Sequence, residues 1–455
     1  MLYPASDLFN RLHTAIQSVP VIDCHEHVIG PEARPTRQEP IAALLVGYVQ
    51  SDLYSAAAGL KLSQADIASL FDHTLPTDDK WPRFQTVWKA AQHTAYSRVT
   101  LLVLQHEYGQ AELTRAALER VAEQLEEHDE AWYFRTFENA GIQVMLTDAL
   151  GKWSSPTRLG QFLRGEKTFP KQFLPLLPLP DFHPTQFGEA IPWVESLVNR
   201  SITSLDEFLE AVYEIFQRAI ERGAIGLKDQ SAYERDLSYG LPTKAEAERL
   251  FNHLLADPRH ALGWPESKPL NDYLFHQYMR FGRDLDLPVQ IHTGHMAGNY
   301  NRVDKTNAAL LTPVLELHRE VRFDLFHGNW PYLGDLLFLG KNYPNVFLNL
   351  CWLPIIDPAY AGELLERSVF TLPHSKVHAF GGDYGDSPEF IAAHLRVARE
   401  VIAGSLARLV ERGWLSEDQA LQVAADWLFN NPNRFFRLGL EEISYAPEVL
   451  KIPVV

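Results

Sequence analysis

The sequence predicts a (β/α)8 TIM barrel, an α/β fold, with a helical insertion after its first strand. Three observations predict it. Eight short apolar runs suited to strands recur along the chain, most of them separated by helical sequence, the pattern of parallel strands joined by helical crossovers. A long stretch of helical character, 31–140, falls between the first two runs. Polar residues recur where the runs stop, and in a closed barrel those ends meet at one mouth. The expected division is a barrel from 1–30 and 141–455 and an insertion from 31–140. A doubly wound open sheet is the competing architecture, but no Gly-rich fingerprint follows an early strand.

Taken in order, 5–18 reads as a helix leading into strand one, the run from Val19 to Ile22. In the insertion, Ala116, Ala117, Val121 and Leu125 fall on one side of a 3.6-residue period. Strand two is read at 142–146 and strand three at 173–177, the latter weakened by Pro175. A strong helix from Leu205 to Arg222 stops at Gly223, and strand four follows at 224–228. A long helical region covers 243–285. Strands five to eight are read at 288–292, 321–327, 346–350 and 377–383, with helices at 310–320, 332–342 and 390–411.

The bulk composition excludes several classes. With 46% hydrophobic and 22% charged residues, the 455-residue chain is globular rather than disordered. The net charge of -17, from 41 basic and 58 acidic residues, argues against nucleic acid or an anionic membrane as partner. Two cysteines, Cys24 and Cys351, make no disulfide framework and read as small buried packing residues of a reducing compartment. The N-terminal segment lacks the pattern of a secretory signal, and no apolar run approaches the ~20 residues needed to span a bilayer. A cytoplasmic protein acting on a small molecule is expected. The insertion offers a surface for a homo-oligomer.

Side chains alternate along a strand, so His25 and His27 share one face, and Glu26 points to the other as a packing group. Lys228 ends the fourth run, His292 the fifth, His327 the sixth and Asp383 the eighth. Four imidazoles, an aspartate and a lysine around one mouth would hold one or two divalent metal ions, zinc above all, with manganese or iron as alternatives. His295, Arg235 and Trp330 are the candidate substrate-binding residues, with Asn329 beside Trp330. Arg34 or Arg37 could grip a substrate carboxylate. Asp386 and Glu389 read as a helix N-terminus, and His183 as structural.

The order His25-x-His27, Lys228, His292, His327, Asp383 resembles the amidohydrolase superfamily of metal-dependent barrel enzymes. Two narrower likenesses accompany it. The stretch from Gly226 to Tyr233 is similar to the amidohydrolase domain of nodulin/glutamine-synthetase-type proteins. The insertion and the closing stretch from Asn430 to Phe436 resemble uronate isomerases. The resemblance implies that His25, His27 and Asp383 hold a first metal, and that His292 and His327 hold a second or assist. It implies two states for Lys228: carbamylated and bridging two ions, or a free substrate-binding amine. Asp383, His327 and Lys228 are the implied catalytic groups, Asp383 taking a proton from a metal-activated water. The expected function is hydrolysis of an amide, ester or lactone bond. A uronate-isomerase-like sugar-acid isomerase, a decarboxylase and a non-catalytic barrel module are the alternatives.

Overall fold

A computed structural model describes residues 6–34, 39–125, 127–183, 190–257 and 262–445. Strand β1 is Val21–Glu26 and β2 is Ile142–Thr147. Strand β3 is Phe173–Pro175, resumed at Leu177–Pro178 after a break at Leu176. Then come β4 (Leu227–Asp229), β5 (Val289–Ile291), β6 (Phe323–Leu325), β7 (Val346–Asn349) and β8 (Val377–His378). All neighbours pair in parallel and in chain order. The first piece of β3 pairs with β2 and the second with β4. Backbone bonds bring the outer edges together: Cys24 N–H donates to Phe380 C=O (3.1 Å), Asp383 N–H to His25 C=O (3.0 Å) and His27 N–H to Tyr384 C=O (2.8 Å). The strands thus form a TIM-type α/β barrel, as the sequence predicts.

From β4 onward the strands are shorter than the apolar runs. His292 and His327 stand just past β5 and β6, and Asp383 lies in the loop after β8. This frees the backbone at the mouth to turn, and it does so at the polar positions. The long helical region resolves into two helices, Lys244–Ala256 and Lys268–Asp284. The first starts on a capping box in which Thr243 and Glu246 satisfy each other's backbone N–H groups. The Leu205–Glu221 helix follows its sequence pattern: Ser204 caps it, and Phe208, Val212, Ile215, Phe216 and Ala219 bury one face.

Residues between β1 and β2 form helices, among them Val49–Gly59, Thr77–Ala91, Ala95–His106 and Glu130–Ala140. The last begins at the Asp129 cap and ends at Gly141, whose φ of +77° suits glycine. It delivers the chain straight into β2, so within 31–140 it serves as the crossover helix of the first strand pair. Ala95–His106 and Glu130–Ala140 both pack on the Pro388–Glu411 helix, and one continuous apolar core spans these helices and the barrel. Arg399, on that last helix, donates to the carbonyls of Ala140 (2.9 Å) and Val19 (2.8 Å), tying the approach to β2 to the approach to β1. Among the described residues no helix is long and apolar enough to cross a membrane.

Candidate functional site

β1 carries His25 and His27 to the mouth as the period of two requires. His25 Nε2 lies 3.3 Å, and His27 Nε2 3.1 Å, from the same Asp383 oxygen, Oδ1. Buried carboxylates fix the loop that presents Asp383. Asp23 Oδ1 accepts from the N–H groups of His25 and Gly382 (3.2 Å each), and Glu26 Oε2 accepts from Tyr384 N–H (2.7 Å). Glu26 therefore packs behind the mouth, on the face opposite the two histidines. Burial pushes the Asp383 carboxyl up, but His25 and His27 outweigh it and hold it well below the usual carboxylate range.

His292 and His327 meet at 3.1 Å, Nδ1 of the first to Nε2 of the second. Each ring spends its other nitrogen on a carbonyl: His292 Nε2 on His295 C=O and His327 Nδ1 on Cys351 C=O, both 2.8 Å. A carbonyl only accepts, so those nitrogens carry the protons and the facing nitrogens are bare lone pairs. Burial, with neighbouring positive charge, drives His292 down to about 3 and His327 well below its ordinary value. No proton is shared between them near neutral pH. Two lone pairs at that distance call for a cation.

Other buried atoms say the same. Among the described residues, His25 Nδ1, His27 Nδ1 and both oxygens of Asp148 have no hydrogen-bond partner. Donor atoms of His25, His27 and Asp148 lie within 4.8 Å of one another, and so do those of His327, Cys351 and Asp383. Imidazole nitrogens and carboxylate oxygens left unpaired in the interior fit a divalent ion. Lys228 lies beside them, its Nζ 3.7 Å from the centre of the Phe326 ring. Burial lowers its pKa against the pull of Asp383 and Asp148.

The mouth is also strained. His327 (φ +59°), Asn329 (+51°), Trp352 (+63°) and Asp383 (+62°) all adopt left-handed backbone without being glycine. Such costs gather where a structure must hold functional groups in place.

His295 and Trp330 stand together at the mouth, their rings 5.3 Å apart, and His295 also faces Trp352 at 4.9 Å. Asn329 is buried beneath, accepting Ala308 N–H (2.8 Å). Arg235 does not face this cluster. Its guanidinium pairs with Asp272 at 2.6 Å and stacks on Tyr239, because the Lys268–Asp284 helix brings that carboxylate against it. Arg34 is likewise held by Glu389 at 3.0 Å, and Arg37 lies outside the described residues. His183 is buried against Tyr278. Asp386 accepts from Tyr133 O–H (2.7 Å) and from Ile29 and Gly30 N–H groups, joining the mouth to the helices after β1.

Sequence reasoning missed three contributors. Asp148 follows β2, and its one signal is a polar residue at the end of an apolar run. Cys351 is buried in the apolar core, as expected of a packing residue, and its sulfur also lies among the donors, which its packing role does not announce. Tyr48 comes from the segment after β1, stacks on Trp352 at 4.1 Å and donates to the Asp383 carbonyl.

A family model described as amidohydrolase matches residues 198–438. Protein fluG of Emericella nidulans is 28% identical over 269 residues, which cover 57% of this chain and 31% of that protein. A uronate isomerase of Phenylobacterium zucineum is 27% identical over 288 residues, covering 57% of each chain. The chain thus spans about a third of the first relative's length and somewhat over half of the second's. Among solved structures, glucuronate isomerase from Caulobacter crescentus superposes with a TM-score of 0.75 over 100% of this chain and 98% of that one, at 17% identity. That is a likeness of fold.

Proposed function

Since the chain belongs to the amidohydrolase family, we propose that it is a metal-dependent hydrolase that cleaves an amide, ester or lactone bond in a small polar substrate. The observation that carries this reading is the 3.1 Å contact between the bare nitrogens of His292 and His327, both of which feel the charges of Asp383 and Lys228. Zinc is the ion such donors suit. A bound divalent ion supplies a Lewis acid for a carbonyl and makes a water acidic enough to lose its proton near neutral pH.

The chain's own residues account for the rest. His25, His27 and Asp148 would hold one ion, and His292 and His327 would hold a second or assist, with Asp383 within reach of both. Asp383, kept ionised by His25 and His27, accepts a proton from the attacking water and later passes it to the leaving group. Lys228, moved toward its free base by burial, donates an N–H to the substrate. Trp352, Tyr48 and Trp330 shield the mouth from bulk water.

A second reading is a sugar-acid isomerase. Its support is the end-to-end superposition on a glucuronate isomerase, helical segment after β1 included. Against it stand Arg34 and Arg235, each of which already pairs with a carboxylate of the chain, Glu389 and Asp272. One experiment separates the readings. Purified protein is assayed for metal content, then against lactones, esters and amides in parallel with uronic acids and aromatic carboxylic acids. Turnover confined to the first group supports hydrolysis. Turnover confined to uronates, or release of carbon dioxide from the acids, would overturn it.

A further inference from the structure

Cys351 stands two residues past the end of β7, where the backbone turns sharply into Trp352 at φ +63°. Its main chain is fully engaged: the N–H donates to Asn349 Oδ1 (2.8 Å), and the carbonyl accepts from His327 Nδ1 (2.8 Å). Among the described residues its sulfur makes no hydrogen bond, whereas the sulfur of Cys24 donates to the Ile22 carbonyl at 3.6 Å. The Cys351 side chain is packed across from Gly381, where an added Cβ would stand 3.0 Å from Sγ. Glycine at that position leaves room for the sulfur. One donor atom from each of His327, Cys351 and Asp383 falls within 4.8 Å of the others, and all three residues are buried. A sulfur, a carboxylate oxygen and an imidazole nitrogen gathered this closely, with the sulfur idle, make a donor set for a soft or borderline cation.

We propose that His327, Cys351 and Asp383 form a thiophilic cation position in which Cys351 ligates as a thiolate. It is distinct from the position of His25, His27 and Asp148, and Asp383 lies between the two. The proposal rests on the metal-dependent reading of the same mouth and adds its selectivity: zinc, cadmium and cobalt are preferred to magnesium or manganese. On binding, the S–H bond breaks heterolytically. Sulfur keeps the electron pair and shares it with the cation, and the proton leaves to the buffer. Nothing is oxidised or reduced.

The test is equilibrium dialysis of the whole chain against cobalt(II), followed by electronic spectroscopy. The wild-type protein is expected to retain cobalt and to show a near-ultraviolet sulfur-to-cobalt charge-transfer band. Cys24→Ser keeps that band and Cys351→Ser loses it, while the preference for cadmium over magnesium falls about tenfold in Cys351→Ser. Cobalt retained without the band, or a band surviving in Cys351→Ser, would overturn the proposal and leave the metal-dependent reading standing. No retained cobalt would overturn both. Circular dichroism checks the fold of each variant. If Cys351→Ser does not fold, the wild-type and Cys24→Ser spectra decide, because the band must then persist in a protein whose one remaining thiol is Cys351.

Discussion

Tyr48 donates its hydroxyl proton to the backbone carbonyl of Asp383. The donor belongs to the segment after β1 and the acceptor to the loop after β8. The bond secures a residue in left-handed conformation, and its geometry is backed by the stack of Tyr48 on Trp352. Tyr48→Phe keeps the ring and removes the bond. A buried carbonyl left without its partner costs about 1–3 kcal/mol, and part of that cost falls on the placement of Asp383. The expected result is a kcat lower by on the order of tenfold with bound metal unchanged. Equal kcat in both proteins would show that the bond only supports the fold.

Asp383 itself is the proton acceptor of the proposed reaction. Asp383→Asn is nearly isosteric but cannot take the proton, and kcat/KM is expected to fall by roughly 10²–10⁴. Steady-state rates, with metal content measured on the same preparation, separate lost proton transfer from lost binding. Full activity in the variant would remove Asp383 from the mechanism.

Gly294, two residues past His292, has φ +66°, and a Cβ there would stand 2.6 Å from backbone atoms of Asn329 and Trp330. Backbone cannot swing aside as a flexible side chain can. Gly294→Ala is expected to lose about 1–3 kcal/mol of stability from overpacking, with weaker metal binding as the loop after β5 shifts. Denaturant unfolding gives the first number and dialysis the second. An unchanged midpoint would contradict the close approach.

His183 gives a pH test away from the mouth. Burial, with help from Arg235, lowers its pKa from 6.5 to about 3. Below pH 6.5 the unfolded chain binds a proton that the folded chain refuses, so stability is lost as pH falls from 6.5 toward 3. This one residue contributes at most ~1.4 kcal/mol per pH unit in that window. Urea midpoints of wild type and His183→Gln should converge in slope above pH 6.5 and diverge below it, the variant being the flatter. Identical slopes would mean the ring is solvated.

The barrel and six polar residues at five of its strand ends are legible in the sequence because each end is a local signal: an apolar run, then a residue that burial would punish without a use. Asp148 gives the same signal, but alone it resembles any aspartate at a strand exit. Tyr48 gives none, since its place at the mouth depends on how the Val49–Gly59 helix packs. Arg235 misleads for the converse reason. Nothing near it in the chain announces Asp272, which arrives on a later helix and neutralises it. The strand lengths mislead too, because from β4 onward the ladders stop before the apolar runs do.

The bonds that close the ring join residues 24–27 to residues 380–384, and this sets an order of events during synthesis. The first strand leaves the ribosome early, with His25 and His27 already in it, but its partner on one side is among the last strands made. Until residue 384 emerges, β1 has one open edge, and its two histidines lack the carboxylate they will share. A nascent chain in this state exposes a strand edge that could pair wrongly. The helices that follow β1 come out next and pack on the Pro388–Glu411 helix only at the end. Barrel closure and assembly of the mouth therefore depend on the same segment, residues 380–384.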